Sequence, residues 1–468
     1  MSKPDPTTPT ELPRLLGLWD LVLLNVVAVV NLNLVPVAAG GGFPALTLWG
    51  LALALFFLPQ GVAVAEFSAR YPDEGGIYVW TRKLFGNFHG WLCGWCYWTN
   101  NIFYVPTLLL YLVGISVYVG GPELTRLGDN RLFVFVSALA LLWFFTALNI
   151  RGLGVGKWVN NLGGIGATVA AAMLVTAGVL AFRHQGERPG LGRSDLLPGL
   201  DDWRTVSALS VICFGLVGLE LGSVMGGEIR EPRRNVPRAA LLGGLACAAL
   251  YLSATFALLL ALPVNELSVI QGVLQAFERM ADRAGLGGLL APLALVLTIS
   301  IAGATSAWLG GSARIPFVAG LDRYLPEALS RLHPRWRTPY VALLAHAAAS
   351  TAFLSMSFIG VRVRDAYLTL LELAVVLQLI PFLYLYAGLI RVAGTPGGHY
   401  RGRAGVMLCG VAGLLTTFLA LATAFVPSKS VESIWKFELK LALGVALFVG
   451  AAAALPRFSR RAPSAADS

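Results

Sequence analysis

Long apolar runs separated by short polar connectors are the dominant pattern of this chain. A helix needs about 20 mostly apolar residues to cross a bilayer, and twelve stretches reach roughly that length. They run approximately over 15–39, 46–67, 88–119, 132–150, 158–182 and 205–225, then 239–262, 289–309, 340–359, 366–392, 405–425 and 439–455. Hydrocarbon offers no partner to backbone polar groups, so only helices or closed barrels can cross it, and runs this long and continuous predict helices. Residues 265–283 are amphipathic instead and predict a surface helix in the outer loop between the seventh and eighth spans. The pattern is that of an all-α membrane protein with 12 transmembrane helices.

Composition narrows the function classes. Only 13% of the residues are charged and 56% are hydrophobic, where soluble domains carry about 25% charged residues. A chain of 468 residues with so few charges cannot cover the surface of soluble domains, which argues against soluble enzymes, nucleic-acid binders and disordered proteins. With the amino terminus placed inside, nearly two-thirds of the 35 Lys and Arg fall on the inner side, while the 25 Asp and Glu show no such bias. Basic residues accumulate in cytoplasmic loops, so a multi-pass protein of the cell (inner) membrane with both termini cytoplasmic is predicted. The first residues are polar and Pro/Thr-rich with no basic segment leading into a cleavable apolar run, which reads as a cytoplasmic tail and not a signal peptide. Cys93 and Cys96 form a CxxC inside an apolar stretch, without a second pair or a His cluster. They read as small helix residues, with no metal, disulfide or cofactor implied.

Two spans do not suit straight helices. The first contains Asn31, Asn33 and Pro36 followed by glycines, and the sixth reads Phe214-Gly215-Leu216-Val217-Gly218-Leu219-Glu220-Leu221-Gly222. Glycine in lipid-facing helices commonly serves close packing, but these two spans lie five apart, the spacing of two five-helix repeats of opposite topology. Interrupted helices in corresponding positions point to a transporter's midplane site, where broken ends expose N–H and C=O groups to substrate and ions. Three acids lie inside spans: Asp20, Glu220 and Glu372. A carboxylate there costs at least a few kcal/mol and normally faces the bundle interior or a water-filled path. Glu220 lies on the interrupted segment itself and Glu372 in an otherwise apolar run, whereas Asp20 near the end of the first span suits either a gate or an ordinary residue reaching toward water. The third span is rich in aromatics and amides, with Asn100, Asn101 and Tyr104 at depth; Asn101 and Tyr104 share a helical face. Trp91 and Trp95 on that span read as interfacial anchors. His346 reads as a packed or hydrogen-bonded residue.

The stretch Ala65-Glu66-Phe67-Ser68-Ala69-Arg70-Tyr71-Pro72-Asp73-Glu74-Gly75-Gly76-Ile77-Tyr78-Val79-Trp80 resembles the second-span exit and first loop of the amino acid–polyamine–organocation (APC) superfamily. Asn149-Ile150-Arg151-Gly152, the run from Gly218-Leu219-Glu220 through Gly227-Glu228 to Pro237-Arg238, and Ser312-Ala313-Arg314 with Leu325-Pro326 and Thr338-Pro339 resemble further family stretches in the family's order. The resemblance implies a LeuT-type 5+5 inverted repeat with broken helices 1 and 6 plus two peripheral helices. It divides the chain into a cytoplasmic tail at 1–14, repeats at 15–182 and 205–392 joined by an extracellular loop at 183–204, helices 11 and 12 within 393–455, and a tail at 456–468. It also implies that the broken spans bind substrate and that an aromatic matching Phe214 closes over it. Glu220 matches an acid that the family's arginine/agmatine antiporters place near the site. Two departures stand out: Asn31-Leu32-Asn33 replaces the family's small Gly-rich motif, and Gly166 or Ala167 occupies the region where proton-coupled members carry a lysine. Asn101-Ile102-Phe103-Tyr104-Val105-Pro106 and Glu372 are similar to features of the polyamine:proton symporters.

The function expected is secondary active transport of amino acids, polyamines or organic cations by alternating access, coupled to protons. The competing expectation is an exchanger of related substrates without net ion coupling; a sensor on a transporter scaffold lacks an added soluble domain, and no catalytic cluster suggests an enzyme. Candidate substrate-binding residues are Asn31, Asn33, Asn101, Tyr104, Phe214, Gly215 and Gly218, and candidate proton or cation sites are Glu220, Glu372 and Asp20. Sodium remains the alternative ion, because Thr168, Thr298, Ser300, Thr305 and Ser306 supply hydroxyls. The partners are then a small amino acid or amine, an ion and the lipid bilayer, with no nucleic acid.

Overall fold

Nine helices among the described residues are long and apolar enough to cross a membrane. The computed structural model describes residues 14–39, 42–184, 208–261, 271–359, 363–400, 402–426 and 434–459. Residues 1–13 of the expected tail at 1–14, residues 460–468 of the one at 456–468, most of the expected loop at 183–204 and the first part of the amphipathic segment, 265–270, lie outside the described residues, while 456–459 are the end of the last helix. In chain order the helices are α1 (Leu18–Val29), α2 (Leu34–Ala39), α3 (Pro44–Arg70, with a π turn at Leu53–Phe57), α4 (Gly76–Phe85), α5 (Asn87–Ser116), α6 (Arg131–Ile150) and α7 (Leu153–His184). They continue as α8 (Ala208–Gly215), α9 (Leu221–Val224), α10 (Pro232–Ala261), α11 (Gly272–Arg283), α12 (Leu290–Ser312), α13 (Arg314–Leu321), α14 (Tyr340–Ser357), α15 (Val363–Val392), α16 (Arg403–Thr423) and α17 (Ile434–Ser459). No strand occurs among the described residues; one isolated bridge pairs Leu16 with Ile229.

Helix α5 is the hub. Its most apolar stretch is 83% buried, against 28% for α6 at the rim, and it packs on α4, α6, α12, α14, α15 and α17. Trp91 and Trp95, expected as interfacial anchors, instead fasten α17 to α5. Trp91 is buried and its Nε1 donates to the Ala452 carbonyl at 2.7 Å, while Trp95 Nε1 donates to the Phe448 carbonyl, one turn away, at 2.9 Å. Helix α11 covers part of the amphipathic segment and buries Val273, Leu274, Phe277 and Met280. Glu66 holds Arg70 and accepts the N–H groups of His399 (2.8 Å) and Tyr400 (3.0 Å), which fixes the turn after α15.

Both interrupted segments are visible. The first lies at Val30–Asn33, between α1 and α2. Pro36 is the third residue of α2, in a first turn whose N–H groups have no helical partner anyway, so proline is tolerated there and does not cause the interruption. The second lies at Leu216–Glu220, between α8 and α9. Gly218 has φ +139°, and a Cβ there would come within 3.0 Å of Val29 Cγ2 and 3.1 Å of the Ala28 carbonyl carbon, so both its dihedral and its neighbours demand glycine.

Helices α1, α7 and α12 meet along a glycine seam. A Cβ on either Gly163 or Gly303 would lie 2.7 Å from the other's Cα, one on Gly164 would lie 2.7 Å from the Leu23 carbonyl oxygen, and one on Gly166 3.0 Å from the Val296 carbonyl oxygen. Backbones touch here, as small residues allow, and Gly166 lies on this seam.

Candidate functional site

Glu220 opens α9 and is fully buried. A buried carboxylate is costly unless hydrogen bonds replace its hydration, and four donors surround this one. Gln60 Nε2 on α3 (2.8 Å) and the Gly218 N–H (3.0 Å) donate to Oε2; the Tyr97 hydroxyl on α5 (3.1 Å) and Gln378 Nε2 on α15 (3.5 Å) approach Oε1. All four are neutral, so the charge is solvated by dipoles and not paired. Gln378 Oε1 in turn accepts from Asn100 Nδ2. The interrupted segment places Glu220 here: the turn at Gly218 lets a backbone N–H aim at the side chain two residues on.

Side chains from neighbouring helices hold the broken ends. The Tyr251 hydroxyl on α10 accepts the Asn31 N–H at 3.0 Å and lies 2.6 Å from the Val29 carbonyl and 2.9 Å from the Gly215 carbonyl. It therefore bridges both interruptions, and its ring stacks on Trp49 with centroids 4.4 Å apart. Trp308 Nε1 on α12 donates to the Ala28 carbonyl at 3.1 Å. Asn33 Nδ2 donates to the Tyr367 hydroxyl at 3.0 Å. The contacts of Tyr251 and Trp308 satisfy backbone groups that continuous helices would have paired internally.

An aromatic wall stands beside them. Tyr104 meets Phe214 edge-to-face at 5.0 Å and Trp308 edge-to-face at 5.7 Å, the geometry in which ring edges meet ring faces favourably. A Cβ on Gly215 would come within 3.1 Å of Leu34, so the chain next to Phe214 packs directly on α2.

The amide oxygens of Asn31, Asn33, Gln60, Asn100 and Asn101 are buried and accept no hydrogen bond from the described protein. Buried acceptors call for donors. Together with the Glu220 carboxylate they make an environment rich in acceptors and poor in cations, which suits N–H-bearing cations and not anions.

The sequence-derived candidates divide accordingly. Asn31, Asn33, Phe214, Gly215 and Gly218 line the interruptions, and Asn101 and Tyr104 lie on α5 alongside, with Asn101 Nδ2 donating to the Tyr97 carbonyl at 2.9 Å. Glu372 is half-buried on α15, and the α15 residue seen to reach Glu220 is Gln378, nearly two turns further along and on a different helical face. Asp20 lies apart. Its Oδ2 accepts the Gly17 N–H (3.0 Å) and its Oδ1 accepts Asn161 Nδ2 (2.8 Å), which starts α1 and ties it to α7. His346 Nδ1 accepts Trp98 Nε1 at 3.2 Å, and all five cysteines are free thiols. Gln60, Tyr97, Tyr251, Trp308, Tyr367 and Gln378 were not among the candidates; the glutamines carried the only sequence signal, as amides within apolar helices.

Residues 16–448 match the family model described as amino acid permease. An uncharacterised transporter of Legionella pneumophila is 26% identical over 451 residues, covering 93% of this chain and 95% of the relative. A probable agmatine/putrescine antiporter of Lactococcus lactis is 25% identical over 60% of this chain and 59% of its own length. A serine/threonine exchanger of Bacillus subtilis is 26% identical over 65% of this chain and 67% of its own.

Proposed function

The chain belongs to the amino acid permease family, a family of multi-pass membrane transporters and not of enzymes, and from that premise we propose that it moves an ammonium-bearing amino acid or amine across the cell membrane by alternating access. The observation that carries this reading is Glu220: a fully buried carboxylate on the interrupted segment, held only by neutral donors. A carboxylate so placed can exchange its dipolar solvation for a substrate ammonium or a proton without breaking an ion pair. The unpaired amide oxygens of Asn31, Asn33, Gln60, Asn100 and Asn101 supply acceptors for further N–H groups, and the Tyr104–Phe214–Trp308 wall can lie over a cation.

In this reading the 12 spans form a LeuT-type pair of inverted repeats at 15–182 and 205–392, both termini are cytoplasmic, and Asn31, Asn33, Asn101, Tyr104, Phe214, Gly215 and Gly218 contact substrate. Coupling is to protons, with Glu220 as the carrier. The glycine seam supports a carboxylate device over a lysine device, since no lysine fits where Gly163, Gly164 and Gly166 touch α1 and α12. A second reading, exchange without net ion flow, is favoured by the antiporter and exchanger among the relatives.

Proteoliposomes separate the two. Uptake of labelled putrescine, agmatine or a panel of amino acids is measured under an imposed pH gradient, under an imposed sodium gradient, and with unlabelled substrate inside. Acceleration by the pH gradient is expected; acceleration by sodium alone overturns proton coupling, and a strict requirement for internal substrate selects exchange.

A further inference from the structure

Three charged side chains from three separate segments converge away from Glu220. Glu74 lies in the short connector between α3 and α4, Glu228 in that between α9 and α10, and Arg314 begins α13 at the end of α12. Glu74 and Glu228 lie outside the apolar spans, and Arg314 follows directly on α12. The Glu228 and Arg314 side chains are almost fully buried and that of Glu74 largely so.

The guanidinium hydrogen-bonds one of the two acids and stands within ion-pair range of the other. Arg314 Nε and Nη2 both reach Glu228 Oε2, at 2.7 and 2.5 Å, and Nη1 donates to the Gly310 carbonyl. Glu74 Oε2 accepts the Gly227 N–H at 2.8 Å. Its Oε1 lies 3.4 Å from Arg314 Nε yet is buried and accepts no hydrogen bond. Two carboxylates against one cation leave one negative charge in excess among the described residues, and the charged neighbours named next are engaged elsewhere. Asp73 pairs with Lys83, Asp322 takes Arg82 and the Tyr78 hydroxyl, Arg230 Nε turns to the Arg14 carbonyl, Glu231 faces Arg234, and Asp20 is bound to Asn161 and the Gly17 N–H. Proton uptake is the remaining way to neutralise a buried excess carboxylate.

The same node closes this face of the molecule. The Glu228 carbonyl accepts the N–H groups of Leu15 (2.9 Å) and Leu16 (3.0 Å), the Arg230 N–H donates to the Leu16 carbonyl (2.9 Å), and the Gly75 N–H donates to the Val224 carbonyl (3.0 Å). Gly226 packs so closely on the Glu74 connector that a Cβ would lie 2.7 Å from the Pro72 carbonyl oxygen. The entry to α1, the exit of α9 and the start of α4 are thus clasped around Glu74 and Glu228.

We propose that the Glu74 carboxyl is a proton-binding site distinct from Glu220, occupied while this clasp is closed and emptied to water when the clasp parts. Closed, the proton sits on Glu74 and Glu228 keeps Arg314. Opened, water reaches Glu74, the O–H bond breaks, the proton leaves as hydronium and a hydrated carboxylate remains. Burial and the neighbouring Glu228 push the Glu74 carboxyl from its ordinary 4.5 up to about 8, against the opposing pull of Arg314. The closed form therefore binds the proton more tightly than the open form. Its advantage is complete below the ordinary carboxylate range, declines as pH rises, and is gone above about 8. The use of this proton in coupling rests on the transporter reading; the existence of the site does not.

Hydrogen exchange of the full-length protein in lipid nanodiscs tests it without any transport measurement. The amides of Leu15, Leu16, Gly227 and Arg230 are followed from pH 5 to 9, corrected for intrinsic exchange rates. Protection should fall by up to about tenfold per pH unit, the limit for one linked proton, and flatten above about pH 8. Glu74→Gln, which mimics the protonated acid, should give high protection without that slope. Glu228→Gln leaves Glu74 alone with Arg314 and should move the flattening point to lower pH. A flat wild-type profile, or an unchanged slope in both variants, overturns the proposal. Because these amides report the clasp and not substrate, loss of the transport reading would leave the result standing, and the reverse.

Discussion

Tyr251→Phe isolates one oxygen atom at the crossing of the two interrupted segments. The ring and its stack on Trp49 at 4.4 Å are retained, and what disappears is a hydroxyl that accepts the Asn31 N–H and donates to the Val29 or Gly215 carbonyl. Each buried group left without its partner costs about 1–3 kcal/mol. The Asn31 N–H and the Val29 carbonyl keep their own 2.9 Å contact, so the Gly215 carbonyl is the group left stranded, and the variant should be less stable than wild type by about 1–3 kcal/mol. Tyr111→Phe is the matched control, because the Tyr111 hydroxyl on α5 is also buried but has no hydrogen-bond partner among the described residues. Its removal strands nothing and should be neutral or stabilising. The assay is thermal unfolding of the two variants and wild type, purified in one detergent and compared by midpoint. Equal midpoints for the two variants, or an unchanged midpoint for Tyr251→Phe, would refute the view that this hydroxyl bridges the broken ends.

Three other substitutions probe the site. Glu220→Gln keeps an acceptor for Gly218 and Gln60 while removing the charge, so the fold should survive; losing a charge-assisted contact worth about 1.5–3 kcal/mol should weaken ligand binding about 10- to 150-fold, and wild-type uptake with an unchanged pH profile would rule the role out. Phe214→Ala deletes the ring that meets Tyr104 at 5.0 Å and should lower affinity in a ligand thermal-shift series more than it lowers the unliganded midpoint; the opposite ranking would make the residue core alone. Gly218→Ala forces a side chain into φ +139° and against Val29, and should abolish the ligand-induced shift, as read by the same thermal series, even where folded protein is recovered.

Sequence reading went furthest where a residue contradicted its surroundings. Gly215, Gly218 and Gly222 cluster inside an apolar run, and Glu220 is a charge within it, so the second interruption and its acid were legible from spacing alone. Asn31 and Asn33 marked the first interruption, though Pro36 drew attention to a position that a helix start tolerates. The partners of Glu220 were harder to see, because an apolar helix carrying one Gln or Tyr gives no sign of which face turns inward. Glu372 and Gln378 show this best: both are polar residues on α15, and only the packing of α15 against α5 reveals that Gln378 reaches Glu220. Tyr251 was invisible for the same reason, since its importance comes from two chain breaks that converge on one hydroxyl from distant parts of the sequence. The Trp91 and Trp95 assignment failed because aromatic enrichment at a helix end looks the same whether the rings face headgroups or, as here, the backbone of α17.

The glycine seam between α1, α7 and α12 has a consequence for inheritance. Every missense change at Gly163, Gly164, Gly166 or Gly303 adds atoms and none can remove any, so at positions where the nearest backbone atom stands 2.7–3.0 Å from a new Cβ there is no mild allele. In a saturation mutagenesis library selected for folded protein, these four codons should be depleted even for alanine. Exposed positions on α7, such as Leu162 and Ile165, should accept most apolar residues. Tolerance along α7 would then switch from residue to residue, with a period set by contact with neighbouring backbones and not by polarity.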